Sequence, residues 1–198
     1  SMELTASIQE SMAGRKRVYE VMPVNFFEFA RFRIGFDLTR SPDQYLIEHP
    51  DDALHLLNEY LNFGGYPRVI LASGVPDKMN TIHEIFQSYM VRDIKVLLKG
   101  HAPEAYARMI SLLAAQTGGM INFSTLASDT GVALATIRKY LWYAERTWFL
   151  KMLPPLFGNR VKEITKSPSV YFVDHGMRNY SIRMFGNIHN HRDYGFVF

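Results

Sequence analysis

Apolar positions recur at helical spacing through most of this chain, and the recurrence is clearest between Met120 and Thr147. A short helix is predicted around Ser124–Asp129, broken at Gly131, and a longer one from about Ala133 to Thr147. Ile137, Leu141 and Ala144 stand three and four residues apart, which places them on one helical face. Arg138, Lys139 and Trp142 fall elsewhere on the same helix, on a surface that another molecule can meet. After Leu153, the stretch from Arg160 to Asp174 holds two β-prone runs separated by Lys166-Ser167-Pro168, as a winged hairpin would. Together these features predict a winged helix-turn-helix.

The rest of the chain also reads as helical. Leu4–Ala13 carries Leu4, Ile8 and Met12 on one face and stops at Gly14, just before the basic run Arg15-Lys16-Arg17. Val18–Met22 is a short β-like run ended by Pro23. Asn25 is the expected N-cap of a helix over Phe26–Arg33, with Glu28 completing a capping box, and Phe26, Phe27, Phe29 and Phe32 are expected in the core. Residues 35–50 read as a connection with one short helix near Asp43–Glu48. Leu54, Leu57 and Leu61 mark a helix over Asp51–Asn62 that ends at Gly64-Gly65-Tyr66-Pro67. One more helical turn at Arg68–Ala72 precedes a break at Gly74–Pro76. The longest helix is expected over Lys78–Leu98, with Ile82, Ile85, Phe86, Tyr89, Ile94 and Leu97 as its buried stripe. Pro103 opens a helix running to about Gln116, and Gly118-Gly119 ends it. The fold class is therefore mainly α with a small β component: a helical lid-like region plus a winged helix-turn-helix.

Charge sharpens the functional reading. Between Arg138 and Arg192 ten Lys/Arg oppose three acids (Glu145, Glu163 and Asp174), a balance of +7, so with +3 overall the remainder carries −4. A basic half containing a winged helix is what attraction to a phosphate backbone requires. Arg138 and Lys139 on the second helix, with Arg160, Lys162 and Lys166 on the wing, are the candidate nucleic-acid-binding residues. Ala133, Leu134 and Ala135 occupy the helix start where base-reading polar side chains usually stand, so binding to DNA is expected without strong sequence specificity, and a protein-facing surface fits the apolar start as well. The 198 residues include no cysteine, which excludes disulfides and thiolate chemistry and agrees with a cytoplasmic location, and no apolar run approaches the ~20 residues of a membrane helix. His175, His189 and His191, with Asp174 and Asp193 nearby, fall short of the three or four convergent ligands a metal needs and read as exposed loop residues. Arg92-Asp93 reads as a structural ion pair or cap.

Several motifs occur in an order that resembles the AAA-type ATPases carrying a C-terminal DUF4143 domain. They are SIQESMAGR at Ser7–Arg15, VYEVMPVNFFEF at Val18–Phe29, GGYPRVI at Gly64–Ile70, YMVRDI at Tyr89–Ile94 and KSPSVYFVDHG at Lys166–Gly176. The resemblance implies that residues 1–34 are a remnant of the ATPase α/β core, 35–101 the lid-like region, 102–174 the winged helix and 175–198 the start of the nuclease-like DUF4143 domain. It further implies that Arg15 and, more weakly, Arg68 sense nucleotide. ATP and magnesium would then belong to the parent protein. No GxxxxGK[ST] occurs here, so this stretch alone would have no catalytic residue and no cofactor. Both ends read as cut, and the expected function is a non-catalytic regulatory segment. Its winged helix would couple nucleotide state to DNA or to a partner domain, the partners being the missing ATPase core and the C-terminal domain. The alternative is a stand-alone winged-helix DNA-binding regulator.

Overall fold

The computed structural model describes residues 19–35, 42–94, 98, 103–156 and 166–185. These are mainly helical, with one two-stranded antiparallel sheet. The chain divides into two compact units: residues 86–173 with 1–22, and residues 23–85 with 174–198.

Among its described residues the second unit is all helical: α1 (Phe26–Ile34), α2 (Pro42–Glu48), α3 (Pro50–Phe63), α4 (Pro67–Leu71), most of α5 (Gly74–Ser88), and α9 (His175–Ile182). Helix α1 starts as expected. The Asn25 side chain accepts the Glu28 N–H at 3.0 Å, and the Glu28 carboxylate accepts the Asn25 N–H at 2.8 Å. Only one face of α1 is covered. Phe29 and Ala30 are buried, whereas Phe27 and Phe32 remain about half exposed at 54% and 47%, so they are surface residues and not the core the sequence suggests. Tyr19–Met22 forms no strand, and Tyr19 and Val21 are 76% and 92% exposed. A lone β-prone run has no ladder partner to satisfy its backbone, and none reaches it among the described residues. Pro76 does not break the chain either. It sits in the first turn of α5, where a missing N–H removes no intrahelical bond. Helix α5 ends at Ser88 in a π-helical segment, Tyr89–Ile94, rather than running to Leu98 as one α-helix.

The first unit holds α6 (Pro103–Ala115), α7 (Phe123–Thr130), α8 (Leu134–Arg146), β1 (Leu150–Leu153) and β2 (Ser169–Phe172). Tyr106, Met109, Ile110 and Leu113 of α6 meet Leu126 of α7 and Ile137, Tyr140, Leu141 and Ala144 of α8 in its core. Tyr89 of the π segment stacks on Phe149 (4.5 Å, 6° between planes) and hydrogen bonds to the hydroxyls of Tyr106 and Thr147. β1 pairs with β2 from Leu150 opposite Phe172 to Leu153 opposite Ser169. The far edge of β2 is met by the α6–α7 connection: Gly118 donates to the Val170 carbonyl at 2.8 Å, Ile121 donates to that of Pro168 at 2.9 Å, and Met120 bridges Ser169. The first strand thus begins at Leu150, ahead of the run proposed from sequence, and Arg160–Thr165 lies outside the described residues.

Candidate nucleic-acid interface

Local sequence builds the exposed face of α8. The Asn122 carboxamide caps α7 by accepting the Thr125 N–H at 3.0 Å, and Gly131 ends it at φ 71°, a left-handed conformation that an L side chain resists. The three-residue turn leads to Ala133, which offers no side-chain cap to α8. Ile137, Tyr140, Leu141 and Ala144 are buried, and Arg138, Lys139 and Trp142 between them, with Arg146 beyond, face solvent.

Each cation on this surface lies over an aromatic ring. The Arg138 guanidinium is 4.8 Å from the Phe123 centroid, Lys139 Nζ 5.7 Å from Tyr143, Arg146 5.4 Å from Trp142, and Lys151 Nζ 5.8 Å from Trp148. Trp148 itself has φ 57°. This left-handed residue, strained by ~1–2 kcal/mol, turns the chain sharply out of α8, so that Phe149 is buried while Trp148 stays 40% exposed.

A hollow of about 390 Å³ opens between α7, α8 and the two strands. Phe123, Leu141, Trp142, Met152 and Pro168 form its apolar walls, and Arg138, Lys166 and Ser167 its polar ones. A second hollow of about 780 Å³ shares Phe123, Arg138, Lys166 and Ser167 and continues past Met120, Asn122, Leu134 and Pro155. The two form one groove crossed by two cations. Of the candidates proposed from sequence, Arg138 and Lys166 meet in this groove, Lys139 stands exposed beside it, and Arg15, Arg160 and Lys162 lie outside the described residues. Arg68 is exposed on α4, paired with Glu84 at 2.8 Å. Sequence reasoning passed over Phe123, Arg146, Trp148 and Lys151. For Arg146 the signal was present, since Trp142 and Arg146 are spaced i,i+4 on a helix.

A cluster of shifted titratable groups in the helical unit has a different character. Asp174 caps α9: one carboxylate oxygen accepts the Met177 N–H at 3.0 Å and the other the Gly65 N–H at 2.7 Å. Burial pushes this carboxyl up to about 6 against the pull of those N–H bonds. Burial likewise holds His175 down to about 4, helped by the neighbouring Arg178 charge, so His175 is a half-buried residue of the first turn and not an exposed loop residue. His189, His191 and Asp193 lie outside the described residues. Among the described residues no three His, Asp or Glu converge as metal ligands. No helix of the described residues is long and apolar enough to cross a membrane.

Residues 54–187 match the profile of a domain of unknown function, DUF8612. The chain belongs to the DUF8612 family. It is also similar to the uncharacterized protein MJ1544 of Methanocaldococcus jannaschii, 25% identical over 184 residues, which cover 90% of this chain and 40% of that protein. The chain thus spans about two fifths of that relative's length. No solved structure matches it. These matches overturn the resemblance to AAA-type ATPases with DUF4143, because the family that covers the chain is a different one. Two of the motifs that carried the resemblance, GGYPRVI and KSPSVYFVDHG, contain glycines with a packing explanation instead. A Cβ on Gly64 would lie 2.3 Å from the Asp174 carboxylate, one on Gly65 2.0 Å from the Val24 carbonyl oxygen, and one on Gly176 2.2 Å from that of Phe63. GGYP and VDHG are therefore two halves of one close-packed clasp.

Proposed function

We propose that residues 103–173 form a winged helix-turn-helix that binds nucleic acid, without catalysis and without strong sequence preference. The order of α6, α7, α8, β1 and β2, with the α6–α7 connection meeting the far edge of β2, supports the winged-helix reading. The observation that carries the binding reading is the convergence of Arg138 from α8 and Lys166 from the start of the β2 segment on one groove, with Lys139, Arg146 and Lys151 also exposed in the same unit. Such a cation set neutralises phosphates, and aromatic partners hold Arg138, Lys139, Arg146 and Lys151 by cation–π attraction worth ~0.5–1 kcal/mol at exposed sites. The uncapped, apolar start of α8 at Ala133 and Leu134 supplies no base-reading donor, which supports affinity without sequence reading.

A second reading, a winged helix that faces another protein, draws on Met120 and Leu134, which are 68% and 41% exposed along the groove. Fluorescence anisotropy with labelled DNA and RNA at 50–300 mM salt separates the two. Affinity that falls steeply with salt and is abolished by Arg138→Glu with Lys166→Glu supports nucleic acid. Absence of binding at 50 mM salt refutes it.

A further inference from the structure

The groove has more in it than a phosphate site requires. A surface that only tracks a duplex backbone needs exposed cations, yet here Arg138 and Lys166 stand over an apolar recess walled by Phe123, Trp142 and Pro168. The recess, at about 390 Å³, lies within the ~300–1,000 Å³ range of small-ligand pockets. Trp142 is 47% exposed at its mouth, even with the Arg146 guanidinium 5.4 Å from its ring centroid. Ser167 and, in the adjoining hollow, Asn122 add polar groups beside apolar walls. The Asn122 oxygen is taken by the Thr125 N–H, which leaves its amide N–H groups to donate.

Flat apolar faces, polar edges and a flanking negative charge fit an unstacked nucleobase with its phosphate. We infer that the groove binds single-stranded nucleic acid, seating bases against the parts of Trp142 and Phe123 that the Arg146 and Arg138 guanidinium groups leave open, while Arg138 and Lys166 hold the phosphates between them. This deepens the nucleic-acid reading and depends on it. Bases paired in a duplex keep their faces stacked and cannot enter the recess, whereas an unpaired strand offers them freely. An acidic peptide with apolar side chains is the competing occupant. Charge complementarity alone does not separate the two, and base dependence does.

The test uses the full chain and four fluorescein-labelled probes: a mixed-sequence 12-nucleotide strand, its duplex, the same strand with abasic sites throughout, and a 12-residue Glu/Leu peptide. The expected result is at least tenfold tighter binding of the strand than of duplex or abasic strand at equal salt. Trp142→Ala should remove about tenfold from the strand and little from the duplex, with Trp142→Phe restoring most of it, as a stacking partner would. In a Trp148→Phe background, strand binding should quench the remaining indole emission and the abasic strand should not. Circular dichroism of each variant confirms the fold. Equal affinity for strand, duplex and abasic strand overturns the inference while leaving nucleic-acid binding intact. Peptide capture without strand binding overturns both, as does no binding of any probe.

Discussion

Asp174 accepts the backbone N–H of Gly65, 109 residues earlier in the chain, at 2.7 Å. Its other carboxylate oxygen caps α9 through Met177, so one buried side chain joins the GGYP turn to a helix start. Asn179 of the same helix extends the clasp by donating to the Leu61 and Asn62 carbonyls at the end of α3.

The clasp contains two opposing pH dependences. Asp174 is raised from 3.8 to about 6, so its contribution is complete below about 4 and is lost as pH rises through 6. His175 is lowered from 6.5 to about 4, so its contribution is present above about 6.5 and is lost as pH falls toward 4. Each amounts to about 3 kcal/mol at most, and the two nearly cancel between pH 4 and 6.5. Relative to the unmodified protein, His175→Gln should therefore gain stability on acidification across this window, and Asp174→Asn should lose it. Urea unfolding at half-unit steps from pH 4.5 to 7.5 reads this, and parallel profiles for all three proteins would refute it.

Gly65 and Gly131 should respond very differently to alanine. At Gly65 the new methyl meets the Val24 carbonyl, part of a backbone pair in which the Val24 N–H donates to the Gly65 oxygen at 2.9 Å. Relief requires moving backbone, and a loss of ~3 kcal/mol or more is expected. At Gly131 nothing lies within 4 Å, and only the left-handed φ penalty remains, about 1 kcal/mol. Equal midpoint shifts in thermal unfolding would contradict the close-approach argument.

Glu59 joins Arg33 and Lys78, and Lys78 is buried with its ammonium 5.1 Å from the Phe63 ring. Burial pushes the Glu59 carboxyl up, but the hydrogen bonds from Lys78 and Arg33 outweigh it and leave the carboxyl below its ordinary range. Its contribution is thus present above the unfolded value and is lost as pH falls. Glu59→Ala should cost about 2–3 kcal/mol, because it strands the buried Lys78 charge, and Lys78→Met in that background should recover part of it. A denaturant double-mutant cycle with no coupling would remove the ion cluster from the account.

In the binding reading each phosphate contact carries a salt signature. Arg138→Gln should weaken binding to every sequence alike and lower the slope of log affinity against log salt by about 1. Arg68→Ala should change neither affinity nor stability by more than ~0.5 kcal/mol, since its ion pair with Glu84 is exposed. An Arg138 effect confined to one sequence would indicate base reading instead.

Local rules made much of the helical structure legible. The Asn25–Glu28 capping box, the Pro103 helix start and the break at Gly131 each depend on groups within four residues, and each appears where the sequence places it. Partner-dependent features did not follow from local pattern. Nothing within Val18–Met22 shows that its β-prone residues lack a neighbouring strand, and nothing within Phe26–Arg33 shows which phenylalanines another helix will cover. For the candidate site, Arg138 and Lys139 were readable as off-face residues of an amphipathic helix, whereas the groove that joins Arg138 to Lys166 was not.

Sequence by itself determined where α1, α6 and α7 start or stop, that cysteine chemistry is excluded, and that the basic residues concentrate in the C-terminal half, because these are properties of neighbours and of composition. Tertiary structure alone decided that Gly64, Gly65 and Gly176 are required by a carboxylate and two carbonyls distant in the chain, that Asp174 and His175 shift their proton affinities in opposite directions, and that Phe123, Trp142 and Lys166 share one groove. The physical reason is common to all three. Burial, desolvation and close approach are set by atoms that folding brings together, and no spacing along the chain encodes which distant atoms those are.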